Sequence, residues 1–260
     1  MSILETIIKH KREELAFRKK LLPQNFLQKS PLFERATISL KKSLDNSEYG
    51  IIAEHKRRSP SKPNINQKLS VFDVAKGYEK AGVSGISVLT DGKYFGGSLD
   101  DLIQVRAAVN IPVLRKEFII DPYQIYEAKA YGADAILLIA AVLNQQEIET
   151  LSKTAKMLDL EVLLEVHDTE ELQKALNPNV NLIGVNNRNL KTFEVSIENS
   201  IELAQLIPDN FTKVSESGLD SVESLKTLKR HGYRGFLMGE FFMKTSDPGL
   251  SAETFINSLS

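Results

Sequence analysis

From residue 50 onward, short runs of β-branched and aliphatic residues alternate with longer stretches whose apolar positions recur every three or four residues. The first pattern fits strands buried on both faces, the second amphipathic helices. It predicts strands at 50–54 (GIIAE), 85–90 (GISVLT), 112–116 (PVLRK), 134–139 (DAILLI), 161–166 (EVLLEV), 181–186 (NLIGVN), 211–215 (FTKVS) and 235–239 (GFLMG). Helices are predicted between them, from VFDVAKGYEKAG at 71–82 to SVESLKTLKRHG at 221–232, with a last one near 250–258. Gly82, Gly132 and Gly232 fall where a helix should stop, just before the next strand, a common place for glycine. No hairpin signal such as Asn-Gly joins two strands, so the sheet should be parallel. Eight such units make an α/β fold of the closed (β/α)8 TIM-barrel type the expectation, with a doubly wound open sheet as the alternative.

Residues 1–49 lie outside the eight units. Their apolar positions Leu4, Ile7, Ile8 and Leu15 fall near helical spacing, which predicts an N-terminal helical extension packed on a barrel formed by residues 50–260. No linker or low-complexity segment divides the barrel region, so residues 1–260 are expected to form a single domain.

Charge and composition narrow the chemistry. Lys and Arg number 33 against 34 Asp and Glu, a net charge of -1, so no global field recruits nucleic acid or an anionic membrane surface. An anionic ligand must be caught by local groups. The absence of cysteine excludes disulfides, thiolate metal sites and cysteine nucleophiles, and four histidines make a metal site unpromising. The longest apolar runs, such as AILLIAAVL at 135–143, are too short to span a bilayer. The N-terminus has no signal-peptide pattern, and Glu5, Glu13 and Glu14 argue against a transit peptide, so a cytoplasmic protein is expected.

In a barrel the active site lies at the C-terminal ends of the strands. Those ends here carry Glu54-His55-Lys56, Lys116, Glu165, Asn186-Asn187-Arg188 and Ser215-Glu216-Ser217-Gly218. Acids and bases thus converge from five strand tips, where charge is costly unless the tip opens onto something that needs it. The strand period of two puts Glu54 and Lys56 on one face, pointing into the mouth. The loops SESG (215–218) and MGE (238–240) offer glycine amides for a phosphate, as the seventh and eighth βα loops of many barrels do. Lys56 could reach the same anion. Phe95 and Phe118 follow strands two and three, where they are either core or the wall of an aromatic pocket. His55 and His167 lack partners at metal-ligand spacing and read as packing or loop residues. The run Lys56-Arg57-Arg58 is short and has no interleaved aromatics, so it reads as a solvated or ligand-facing loop.

Several blocks resemble a known family. IIAEHKRRSPSK (51–62) is similar to the opening signature of indole-3-glycerol phosphate synthase, and SVLTDGKYFGGS (87–98), PVLRKEFIIDPYQIYEA (112–128), LLEVHD (163–168), GVNNRNLKTFEV (184–195) and VSESG (214–218) resemble its later blocks in the same order. The resemblance implies ring closure, decarboxylation and dehydration of 1-(carboxyphenylamino)-1-deoxyribulose phosphate to indole-3-glycerol phosphate, a step of tryptophan biosynthesis. It implies no metal or organic cofactor, a phosphorylated small-molecule substrate, a monomer, and an N-terminal extension whose apolar stripe packs near the active-site mouth. Lys116 matches the general acid and Glu165 the carboxylate of the later dehydration. Glu54 and Lys56 match a paired acid and base, while Asn186 and Glu216 complete the catalytic set. Ser59, Phe95, Phe118, Arg188, Leu190 and Ser217 match substrate-binding positions, and Lys56, Ser217, Gly218, Gly239 and Glu240 the phosphate site.

The chain departs from the family at three places. Pro63-Asn64-Ile65-Asn66 follows SPSK where Gly is usual, Glu117 stands where Asp is more common, and His55 replaces an apolar residue. Two rivals are weaker. Phosphoribosylanthranilate isomerase should carry a Cys/Asp pair, which a chain without cysteine lacks. A barrel that only binds a phosphorylated ligand would not need every family catalytic position filled.

Overall fold

A computed structural model of the chain describes residues 2–189, 192 and 194–259. The N-terminal extension holds α1 (Ile3–Leu21), α2 (Gln24–Leu27) and α3 (Leu40–Asp45). The barrel follows as β1 (Gly50–His55), α4 (Val71–Lys80), β2 (Gly85–Leu89), α5 (Gly92–Phe95), α6 (Leu99–Ala108), β3 (Val113–Lys116), α7 (Pro122–Ala130), β4 (Ala135–Ile139) and α8 (Gln145–Met157). Its second half is β5 (Glu161–Val166), α9 (Thr169–Ala175), β6 (Leu182–Asn186), α10 (Glu198–Ala204), β7 (Thr212–Glu216), α11 (Val222–Arg230), β8 (Gly235–Met238), α12 (Glu240–Met243) and α13 (Pro248–Asn257). The short helices α5 and α12 were not expected from the pattern, and β7 runs one residue later than the aliphatic run suggests. Neither shift moves a strand tip away from the mouth.

All eight strands are parallel, and β1 pairs with β8 through Gly50↔Gly235 to Ala53↔Met238, which closes the sheet and excludes the open alternative. Helices stop where glycine was expected to stop them: Gly82, Gly132 and Gly232 have φ of +80°, +88° and +87°, a conformation that carries a steric penalty for other residues. Alternation along each strand sorts the side chains. Ile52, Leu114, Ala135, Leu137, Leu163, Leu182, Val214 and Leu237 fill the barrel interior, while Ile51, Ala53, Ile86, Val88, Leu164, Val185 and Phe236 pack outward against the helices.

The extension closes both ends of this barrel. At the floor, Leu40 and Leu44 of α3 are fully buried among the interior residues. They fit because the strands begin in glycine: a Cβ on Gly50 would lie 2.7 Å from Leu44, and one on Gly85 2.7 Å from Leu40. Polar contacts fix the plug, with Lys41 Nζ donating to Thr212 Oγ1 (2.7 Å) and Ser43 Oγ to the Ser84 carbonyl (2.6 Å). At the other end, α1 starts with a reciprocal capping box between Ser2 and Glu5, which satisfies two otherwise orphaned amides. Its buried face is Ile7, Ile8, Lys11 and Leu15. Leu15 packs with Leu27, Phe33, Tyr123 and Ala130, which lays the start of α1 across the mouth. No helix among the described residues is long and apolar enough to cross a membrane.

Candidate active site

The mouth encloses a cavity of about 340 Å³, within the usual range for a small-molecule site. Its base is apolar, with Leu89, Leu137, Ile139 and Leu237, and charged tips stand above it. Glu54, Lys56, Lys116, Glu165, Asn186 and Arg188 all line it. Glu216 sits just beneath, buried, and acts on the cavity through Lys116.

The ion pairs form one connected set. Lys116 Nζ lies 2.7 Å from Glu216 Oε2 and 3.5 Å from Glu54 Oε2, and Lys56 Nζ lies 3.0 Å from Glu54 Oε1. Burial opposes ionisation of Glu54, but Lys56 and Lys116 outweigh it and hold that carboxyl down to about 2. Burial likewise opposes the charge on Lys116, yet Glu216, Glu54 and Glu165 keep it above the ordinary lysine range. Glu216 moves the other way. Burial pushes its carboxyl up, Lys116 pulls against that, and Glu165 and Glu54 add to the rise. The site therefore holds a fully protonated lysine beside a carboxylate able to accept a proton.

Room for Glu216 comes from its neighbour strand. A Cβ on Gly184 would lie 2.4 Å from Glu216 Oε1, so only glycine at that position lets the carboxylate sit where it meets Lys116. Gly239 plays the same part for Glu54, whose Oε1 a Cβ would approach to 2.7 Å.

On one side of the cavity Ser217, Gly218, Gly239 and Glu240 come together with Lys56. Ser217 and Gly218 both have φ of +70°, rare for a serine, and such strain collects at functional sites. Asn187 fixes this turn by donating to Ser215 Oγ (2.9 Å) and the Ser217 carbonyl (3.1 Å). The side chain of Glu240 pairs with Lys62, so its negative charge is engaged there. On the other side Phe95 and Phe118 pack on each other at a tilt of 43° with centroids 5.9 Å apart, forming an aromatic wall, and Ser59, in the loop after β1, also lines the cavity. Leu190 lies outside the described residues.

Ile3, Leu4 and Ile7 of α1 line the cavity, where the family resemblance implied that the stripe would pack. Two features escaped the reading of the sequence. His167, read as a packing residue, has Nε2 3.5 Å from Glu165 Oε1 and Nδ1 3.0 Å from Glu171 Oε2. Burial lowers its affinity for a proton, but Glu171 and Glu165 together raise it above the usual histidine value. The strand period of two, applied to positions 165 and 167, is the signal that could have found it. Lys11, which the reading of the sequence did not single out, is buried. His55, by contrast, is the packing residue expected, held down to about 4 by burial and by Arg57. Among the described residues no three His, Asp or Glu side chains are grouped so as to hold a metal ion.

Comparison with known proteins agrees with this geometry. The family model described as indole-3-glycerol phosphate synthase matches residues 4–255. The indole-3-glycerol phosphate synthase of Bacteroides thetaiotaomicron is 47% identical over 257 residues, covering 99% of this chain and 98% of the relative. That of Carboxydothermus hydrogenoformans is 41% identical over 261 residues, covering 97% and 99%. Among solved structures, 3-hexulose-6-phosphate synthase from Salmonella typhimurium matches with a TM-score of 0.64 at 13% identity, covering 81% of this chain and 98% of that one. Thiamine phosphate pyrophosphorylase from Pyrococcus furiosus matches with a TM-score of 0.62 at 15% identity, covering 85% and 98%. These last two bear on the fold alone.

Proposed function

The chain belongs to the indole-3-glycerol phosphate synthase family, and from that premise we propose how its residues divide the reaction. The activity is conversion of 1-(carboxyphenylamino)-1-deoxyribulose phosphate to indole-3-glycerol phosphate, CO2 and water, a lyase step of tryptophan biosynthesis. The substrate phosphate lies on the amides of Ser217, Gly218, Gly239 and Glu240, with Lys56 reaching the same anion. Its aromatic ring packs against the wall formed by Phe95 and Phe118. Arg188, Asn186, Ser59 and Leu190 complete the binding set.

With both ends held, the ring carbon that bears the carboxylate attacks the ketone carbon. Lys116 donates a proton to the carbonyl oxygen as that bond forms, which removes the charge that would otherwise develop there. The carboxylate then leaves as CO2, and its bonding pair restores the aromatic ring. In the last stage the new hydroxyl leaves as water, with Glu165 performing acid and base work. Glu54 and Lys56 act as the paired acid and base beside the reacting centre, and Glu216 accepts from and restores Lys116. Burial of the reacting atoms strengthens each of these contacts.

The single observation that carries this assignment is Lys116, held charged at the mouth by Glu216 at 2.7 Å and Glu54 at 3.5 Å. The reading also includes a cytoplasmic monomer and a single folding unit, the latter supported by an extension that contributes Leu4 and Ile7 to the cavity and Leu40 and Leu44 to the barrel interior. Adding substrate to purified protein in the presence of EDTA should give the fluorescence rise of the indole product. No rise with the wild-type chain would overturn the reading.

A further inference from the structure

Lys11 stands on the apolar face of α1, between Ile7 and Leu15, and no step of the reaction uses it. It is only 3% exposed. A lysine is rarely buried unless it is paired, and this one meets three carboxylates: Glu14 Oε2 at 2.8 Å, Asp91 Oδ2 at 3.1 Å and Glu117 Oε1 at 3.1 Å. Glu14 belongs to the same helix and is the most exposed of the three. Asp91 and Glu117 belong to the loops after β2 and β3.

What those two carboxylates do besides pairing is the informative part. Asp91 Oδ1 accepts from the amides of Tyr94 (2.7 Å) and Phe95 (3.3 Å), so it seats the turn that presents Phe95. Glu117 Oε1 accepts from the amide of Phe118 (2.8 Å), and its Oε2 from Thr90 Oγ1 (2.8 Å). Each carboxylate thus holds the backbone of one aromatic wall, and one ammonium group holds both carboxylates. Without that cation two buried negative charges would face each other, with Arg115 Nη2 at 3.7 Å from Glu117 as the remaining partner nearby.

We propose that Lys11 is a positioning residue for the aromatic wall, setting the placement of Phe95 and Phe118 through Asp91 and Glu117. The inference rests on the reading that the substrate ring packs against the wall those two side chains form. It separates two ends of the site. The phosphate turn is held by Asn187, and Lys116 is held by Glu216 and Glu54, none of which touches Lys11. Loss of Lys11 therefore loosens the ring end and leaves the phosphate end and the proton donor in place.

The test is Lys11→Met in the full-length chain, with steady-state kinetics and competitive inhibition by 2-aminobenzoate and by inorganic phosphate. KM and the inhibition constant of 2-aminobenzoate should rise about tenfold, while kcat and the inhibition constant of phosphate stay within about threefold of wild type. Lys11→Arg, which keeps the charge, should recover most of the affinity. Leu15→Ala, destabilised on the same helix without touching the clamp, controls for stability. Should Lys11→Met fail to fold, Asp91→Asn keeps the helix cap but removes the charge pair, and is expected to show the same selective loss. Unchanged 2-aminobenzoate inhibition in these variants, or an equal rise in Leu15→Ala at matched melting temperature, would overturn the role of Lys11. A wild-type enzyme that 2-aminobenzoate does not inhibit competitively would instead overturn the reading that the substrate ring packs on this wall.

Discussion

The floor and the mouth of this barrel are closed by the same N-terminal segment in opposite ways. At the floor α3 inserts Leu40 and Leu44 between glycines, and the contact is fully buried and apolar. At the mouth α1 leaves a cavity, lines it with Ile3, Leu4 and Ile7, and brings a buried charge, Lys11, to meet the loops. The floor has nothing to recognise and can be packed for stability. The mouth must keep paired charged groups in low dielectric, at a desolvation cost the floor does not carry, which makes it the less stable end. Substitutions at the two ends should therefore separate activity from stability.

The largest effects belong to the mouth. Lys116→Ala should lower kcat about ten-thousand-fold with the fold retained, and Glu165→Gln by at least about a hundred-fold, each acting on kcat more than on KM. Single-turnover assays on the purified variants check both, and a near-normal kcat in either would remove that residue from the chemistry. At the floor the pattern should reverse. Leu44→Ala should destabilise the protein by about 2–5 kcal/mol in urea unfolding, with kcat/KM of the surviving folded fraction within about twofold of wild type. A large loss of kcat/KM there would show that the two ends are coupled.

A smaller effect is expected at the phosphate turn. In Gly218→Asp the new side chain must adopt φ near +70° and its Cβ would lie 2.2 Å from Val195, besides repelling the anion. KM and the inhibition constant of phosphate should rise about tenfold, as a penalty of about 1–2 kcal/mol implies. The smallest effect at neutral pH concerns His55, buried neutral behind the mouth with its affinity for protons lowered to about 4. The unfolded chain takes up that proton first, so the stabilisation is complete above about pH 6.5 and is lost as pH falls toward 4, by on the order of 1–3 kcal/mol. Melting temperatures measured from pH 7.5 down to 4.5 should fall less steeply for His55→Leu than for wild type. Parallel curves would assign the acid sensitivity elsewhere.

The strands and the convergence of Glu54, Lys56, Lys116, Glu165 and Glu216 were legible because both are local: a run of aliphatic residues sets the strand, and the period of two sets the face. The meeting of the SESG and MGE loops at the cavity was legible for the same reason, since both sit at strand ends. What stayed hidden depends on contacts between segments far apart in the chain. Lys11 lies on a helical stripe with Ile7 and Leu15, but its partners Asp91 and Glu117 come from two different loops, and a lone lysine reads by default as solvated. Glu117 was passed over as a conservative replacement, yet its carboxylate seats Phe118 and meets that lysine. The docking of α3 was hidden likewise: an apolar pair at helical spacing does not say which end of a barrel it will plug.

Gly184 has a consequence for how such a protein can change over time. In an ordinary strand, replacing glycine by alanine removes conformational freedom from the unfolded chain and tends to raise stability by about 0.5–1 kcal/mol. At position 184 the added methyl group would occupy the space of the Glu216 carboxylate, 2.4 Å away. That gain is closed here, because filling the point displaces a buried, ion-paired carboxylate. The barrel wall thus keeps beside Lys116 a strand glycine that stabilising change cannot reach, and adaptation to higher temperature has to draw on other positions, such as the floor.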